Sequence, residues 1–250
     1  MSENRKINAA YRLHTILKVA VAQPQNISNL QVWTNVFDVH LSGRRQKQAV
    51  SRGIDLIYEQ LDILVKYLKS KEYTDDAIND LISGIEGNVS MEFINVPWND
   101  FKTRLTNQLI PLSIYSSTLP NEESPLSPTD LKDIQDELDR LEHSLEEKDL
   151  PAEVREYVKK QLSFIRRAFW EYKFRGLHAF EDAVMDGIRE VYVQKDIVEN
   201  HKDDAEVKEV SKMWSRIWQV VIKAGQVNSA LNAGEHFLRL VASTFTGHPH

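Results

Sequence analysis

The stretch that decides the fold runs from Ser127 to Gly176: SPTDLKDIQDELDRLEHSLEEKDLPAEVREYVKKQLSFIRRAFWEYKFRG. Ser127 is a helix cap, and Pro128 suits the first helical position, where its missing N–H would have no partner anyway. Asp130 adds an acid to the first turn, where the helix dipole favours it. Leu131, Ile134, Leu138, Leu141 and Leu145 recur at alternating steps of three and four, which lines one side of a helix with apolar groups. Asp149-Leu150-Pro151 restarts the chain. A second helix is expected to about Arg175, with Val154, Val158, Leu162, Ile165, Phe169 and Tyr172 on its buried face and Gly176 closing it in a left-handed cap. The pair reads as an antiparallel helical hairpin.

The charges agree with that pairing. Asp130 to Asp149 holds nine acids and three bases, whereas Arg155 to Arg175 holds seven bases and two acids. Exposed ion pairs contribute only ~0.2–1 kcal/mol each, so the apolar stripes supply the stability and the charges set register. A basic helix alone would suggest nucleic acid; beside an acidic one it is expected to be neutralised internally.

Outward from the hairpin, the chain is helical in both directions. Residues 5 to 22 form an apolar helix with Ile7, Tyr11, His14, Leu17 and Val21 on one stripe and Leu13, Ile16 and Ala20 beside it. So broad an apolar surface places it at the centre of a bundle or in an interface. Ser28 or Asn29 caps a helix carrying Leu30, Trp33, Val36, Phe37 and Leu41. After Ser42-Gly43 a long helix reaches Leu68 on the stripe Val50, Ile54, Ile57, Leu61, Leu64 and Leu68. Thr74 caps a shorter one through Ile85, and Asn95-Val96-Pro97-Trp98 starts another that Pro111 ends. Asn88 to Val96 is the one place for a short strand. Ser116 to Pro128 contains three prolines and four serines and reads as a linker. Beyond Gly176, helices carry Leu177, Phe180, Val184, Ile188 and Val191, then Val207, Val210, Trp214, Ile217 and Val221, and a last segment carries Leu231, Leu238, Val241 and Phe245. The expected organisation is an all-α multi-helix bundle: an N-terminal helical domain over 1–115, a linker over 116–128 and a C-terminal helical domain over 129–250.

Composition narrows function by exclusion. The chain has 250 residues, 42% of them apolar, enough for an ample core. It has no cysteine, which removes thiol catalysis, disulfides and thiolate zinc sites. The net charge of −6 argues against nucleic-acid binding by the whole surface. Lys18 interrupts the apolar part of the first helix, so no secretory signal is read there. No run approaches the ~20 apolar residues that span a bilayer. A cytoplasmic protein is expected.

No catalytic constellation emerges. There is no Glu-x-x-His pair for a di-iron bundle, no His-Glu-x-x-His, and no phosphate loop around Gly84-Ile85-Glu86-Gly87. The all-helical HEPN ribonucleases carry an Arg and a His separated by four to six residues, but here Arg140 and Arg175 precede His143 and His178 by three. No cofactor and no metal is therefore expected. The strongest binding candidate is Arg44, Arg45, Lys47 and Arg52, four cations in the first turns of the long helix, where the dipole already favours an anion. Trp170 follows Phe169 and cannot share its direction, so Trp170, with Arg175 and His178 beside it, is a candidate interface. Trp214 and Trp218, one turn apart, are candidate core.

Leu150-Pro151, Val154-Arg155, Ala168, Tyr172, Gly176-Leu177, Phe180 and Ala183 resemble a helical-hairpin segment of uncharacterised bacterial proteins from mobile-element and defence loci. The likeness covers about a quarter of the chain and carries no catalytic residue. It implies a bacterial setting with a stress- or phage-defence role. Together these readings point to a non-catalytic adaptor, regulator or sensor that binds a protein partner or itself. The alternative is a nuclease or nucleotide-processing enzyme on an all-α scaffold, and a nucleic-acid partner stays open at the α-helical basic cluster.

Overall fold

A computed structural model describes residues 6–224, and in them the fold is all-α: ten helices and no strand. They are α1 (Ala9–Val21), α2 (Asn29–Phe37), α3 (Gly43–Ser70), α4 (Asp75–Glu86), α5 (Asn99–Thr118), α6 (Pro128–Glu147), α7 (Ala152–Arg175), α8 (His178–Val193), α9 (Lys195–Asn200) and α10 (Ala205–Ala224). No described helix is long and apolar enough to cross a membrane. Local chemistry sets several of the starts. Ser28, Thr74 and Ser127 each accept a hydrogen bond from the backbone N–H three residues on, which satisfies a donor that the first turn leaves open.

The chain divides into two compact units. Unit 1 takes the residues up to Glu122 together with Lys173–Arg175; unit 2 takes Glu123–Tyr172 and the residues from Gly176 onward. In unit 1, α1 packs against α5, α3 and α2, and α4 against α3 and α5. Helices α1 and α5 run antiparallel: the Lys6 ammonium donates to the Ser117 carbonyl near one end, and Lys102 donates to the Gln23 carbonyl at the other. The face of α1 that is buried is Ala9, Ala10, Leu13, Ile16, Leu17 and Ala20. The core stripe is thus the one through Leu13, Ile16 and Ala20, whereas Tyr11 and His14 are only half-buried. Small residues at 9, 10 and 20 let neighbouring helices approach, so close packing outranks the larger but polar side chains.

Aromatic rings fill the rest of this core. Trp33 stacks on Phe37 at 5.3 Å between centroids and meets Trp98 edge-on at 5.9 Å, while Phe174 meets Phe37 at 5.3 Å. Lys173 donates to the Val36 carbonyl in the last turn of α2, where a cation offsets the helix dipole. A buried network adds to the hold: the Arg12 guanidinium donates to Gln60 Oε1 at 2.8 Å and pairs with Glu122, whose other oxygen accepts from the Ala9 N–H.

In unit 2, α10 packs against α6 and α8. Trp214 and Trp218 are each 2% exposed and lie in the core with Leu138, Leu162, Phe180 and Val184. Gln161, fully buried, organises the polar groups: its amide N–H donates to the Gly187 carbonyl at 3.2 Å, and its oxygen accepts from the Trp214 indole at 2.8 Å. Burial pushes the Tyr157 hydroxyl above its ordinary range, and the Glu190 carboxylate adds to the rise.

Several expectations change at the boundaries. Pro111 does not end α5, which continues to Thr118 because Leu112 and Tyr115 bury their side chains beyond it. That burial offsets the hydrogen bond and steric fit lost at an internal proline, ~3 kcal/mol. The expected linker is accordingly shorter than 116–128. Residues 116–118 are helix, Pro128 begins α6, and Glu123 and Leu126 between them are each only 5% exposed. Asp38 takes a left-handed conformation, so α2 stops before Leu41, which is 48% exposed. Asn88 to Val96 is no strand; it holds a 3-10 turn at Met91–Phe93, with Leu30 and Asn29 donating to the carbonyls of Ile94 and Val96. Gly176 has φ +59 but ψ −141, outside the left-handed helical basin. Its N–H closes α7 on the Tyr172 carbonyl, and the next N–H, of Leu177, donates to the Glu123 carboxylate at 2.6 Å. A side chain at 176 would be strained and would overlap that carboxylate. Leu231, Leu238, Val241 and Phe245 lie outside the described residues.

The acidic helix is neutralised from two directions rather than one. Arg166 of α7 pairs with Asp139 at 2.7 Å and with Glu142, but Asp133 and Glu137 are met by Arg216 of α10 at 2.9 and 3.3 Å. Arg167 turns instead to Asp186 of α8.

Candidate functional site

Ser42 lies extended before α3 and gives no side-chain cap, and Gly43 enters the helix with φ +61. A first turn without a side-chain cap leaves N–H groups open, and Arg44, Arg45 and Lys47 follow at once. All three are exposed. Among the described residues none of them has an acidic partner or hydrogen bond. Arg44, Lys47, Gln48 and Ser51 share one side of α3 and line an open depression of about 560 Å³, to which Met91 of the 3-10 turn contributes an apolar wall.

The fourth cation leaves the group. Arg52 turns along the helix to Glu59, 3.1 Å away, and both side chains are nearly half exposed. Glu59 also receives Arg175 at 3.6 Å, so that arginine is a structural partner within unit 1. His178 is exposed and its Nδ1 lies 2.7 Å from Glu181 on the next turn of α8. Arg175 ends α7 and His178 begins α8, with Gly176 between them in the chain. Trp170 is half-buried on α7. Among the described residues no group of acids and histidines could hold a metal ion.

One larger concavity was not anticipated from the sequence. A trough of about 770 Å³ runs along α1 beside the end of α5, lined by Tyr11, His14 and Lys18 on one helix and Ser113, Ser116 and Ser117 on the other. Burial lowers the affinity of His14 for a proton, and the charge of Lys18 lowers it further. The signal was present in Ala9, Ala10 and Ala20: once these define the core face, Tyr11 and His14 must face elsewhere. Compared with known families, with curated proteins and with solved structures, the chain matches none.

Proposed function

We propose that the protein is a non-catalytic interaction protein, an adaptor, regulator or sensor, and that the start of α3 contacts an acidic surface on a protein partner. The observation that carries this is the absence, among the described residues, of any acid facing Arg44, Arg45 and Lys47. Three unpaired cations at an uncapped helix start set up a local positive field on a chain whose net charge is −6. Such a field speeds encounter with an acidic partner and fixes its register. A bacterial defence setting, implied by the resemblance of the hairpin segment, fits this reading.

Affinity capture with the full chain and with Arg44→Glu/Arg45→Glu tests it. A partner bound by wild type, lost on the double reversal and eluted by moderate salt supports the proposal. Capture unchanged by the reversal overturns it, as does recovery of nucleic acid whose affinity falls steeply with log salt. The second reading, a nuclease or nucleotide-processing enzyme, draws on the His178–Glu181 pair, since a carboxylate can orient an imidazole for proton transfer. It requires turnover that His178→Ala abolishes without unfolding the chain.

A further inference from the structure

The trough on unit 1 is a second surface, independent of the start of α3. Two lysines, Lys6 and Lys18, stand along it, and among the described residues no carboxylate lines it. A small anion would need several N–H or O–H donors converging on one point. Three of the hydroxyls here are committed elsewhere: Thr15 donates to the Tyr11 carbonyl at 2.9 Å, Ser116 to the Ser113 carbonyl at 2.8 Å and Ser117 to the Ile114 carbonyl at 2.7 Å. The Lys6 ammonium already holds the Ser117 carbonyl. What the trough offers instead is length and an apolar rim. Tyr11, Lys18 and Ala22 lie along one side of α1 over about three turns, ~16 Å at ~1.5 Å per residue. On α5, Ile110 and Ile114 share a face with Ser113 and Ser117 and are 70% and 55% exposed; Val19, in the trough wall, is 45% exposed.

A groove between two antiparallel helices, apolar at its edge and positive along its length, matches a third helix with an apolar stripe flanked by acids. We propose that the trough between α1 and α5 is a docking groove for an acidic amphipathic helix of a partner protein, held by Val19, Ile110 and Ile114 and oriented by Lys6 and Lys18. A second copy presenting the same face would set lysines against lysines, so a symmetric dimer through this surface is disfavoured.

Fluorescence anisotropy with the full-length protein tests this. The probe is a labelled helical peptide of about 18 residues with leucines at helical spacing and glutamates beside them; the control replaces every glutamate by lysine. The acidic peptide is expected to bind saturably and the lysine peptide not to bind. Lys18→Glu should weaken the acidic peptide by about three- to tenfold, from one or two reversed contacts. Ile110→Ser/Ile114→Ser should weaken it at least as much, while circular dichroism stays unchanged because both side chains are exposed. Arg44→Glu/Arg45→Glu should leave peptide binding intact, which separates failure here from failure at α3. Equal binding of the two peptides, or indifference to Lys18→Glu, overturns the proposal. So does saturable binding of inorganic phosphate that shifts the His14 resonances, uptake by anionic phospholipid vesicles that Lys18→Glu abolishes, or a dimer that Ile114→Asp dissociates.

Discussion

In unit 2, Arg166, Arg167, Arg189 and Arg216 each meet a carboxylate, and Lys148 reaches the buried Glu206 at 2.5 Å. In unit 1, among the described residues, Arg44, Arg45 and Lys47 meet none, and no acid lines the trough in which Lys18 stands. Several cations of unit 2 are thus satisfied by its own acids, while the cluster at the start of α3 is not. Net charge by region therefore misleads about where charge is available. Acids of α6 pair with α7 and α10, whereas among the described residues Arg44, Arg45 and Lys47 at the start of α3 face solvent. Availability depends on which helix faces lie together, and this is what separates a partner surface from a structural ion-pair ladder.

The sharpest way to break the contrast is at a cation that unit 1 does bury. Arg12 is 4% exposed and holds both Gln60 and Glu122. Arg12→Met should cost about 2–3 kcal/mol, less than the ~3–5 of a fully buried pair because Glu122 is partly exposed to water. The urea midpoint reads this directly. An unchanged midpoint would mean that the network merely accompanies the packing of α1.

A smaller loss is expected from the corresponding neutral network of unit 2. Trp214→Phe removes the indole donor and leaves the Gln161 oxygen buried without it, for about 1–2 kcal/mol. Gln161→Leu should soften the effect of the indole change in a double-mutant cycle, because the two groups then no longer strand each other. Additive effects would show that the hydrogen bond contributes nothing beyond the space its partners fill.

These two networks show what was and was not legible beforehand. Helix caps such as Ser28, Thr74 and Ser127 are local, since the donor lies three residues away, so they can be read directly. The apolar stripes of α3 and α6 were equally plain, because each repeats over four turns or more. Pro111 departs from the sequence expectation through tertiary burial, since Leu112 and Tyr115 carry the helix past it, and Leu41 departs from it because a left-handed Asp38 stops α2 first. The cluster at the start of α3 was visible as composition, but the departure of Arg52 to Glu59 needed the helix face to be known. The trough is not legible in the sequence because its two walls lie about a hundred residues apart in the chain.

Histidine chemistry sharpens the comparison through pH. His201 hydrogen-bonds Glu153 at 3.1 Å and Asp204 at 2.9 Å, tying the start of α7 to the turn before α10. Those two hydrogen bonds, and then the charges behind them, raise its pKa. A raised folded pKa means stability that is fully present below the ordinary histidine value, ~6.5, and lost as pH rises through the higher folded value. Wild type should therefore exceed His201→Gln in melting temperature at about pH 5.5, with the margin shrinking by about pH 8.5. A margin that grows with pH would contradict the assigned pairing.

The smallest stability effect is expected where the functional effect should be largest. Reversing Arg44 and Arg45 to Glu changes four units of formal charge, yet no described partner is lost. Surface substitutions away from ion pairs and cores usually stay within ~0.5 kcal/mol. Two glutamates in the first turn of α3 also sit favourably against the helix dipole, ~0.3–1 kcal/mol each. The double variant should consequently melt at or slightly above the wild-type temperature while losing its acidic partner. A drop in melting temperature of several degrees would reveal that these arginines hold the fold together, and the start of α3 would then no longer be a surface kept open for a partner.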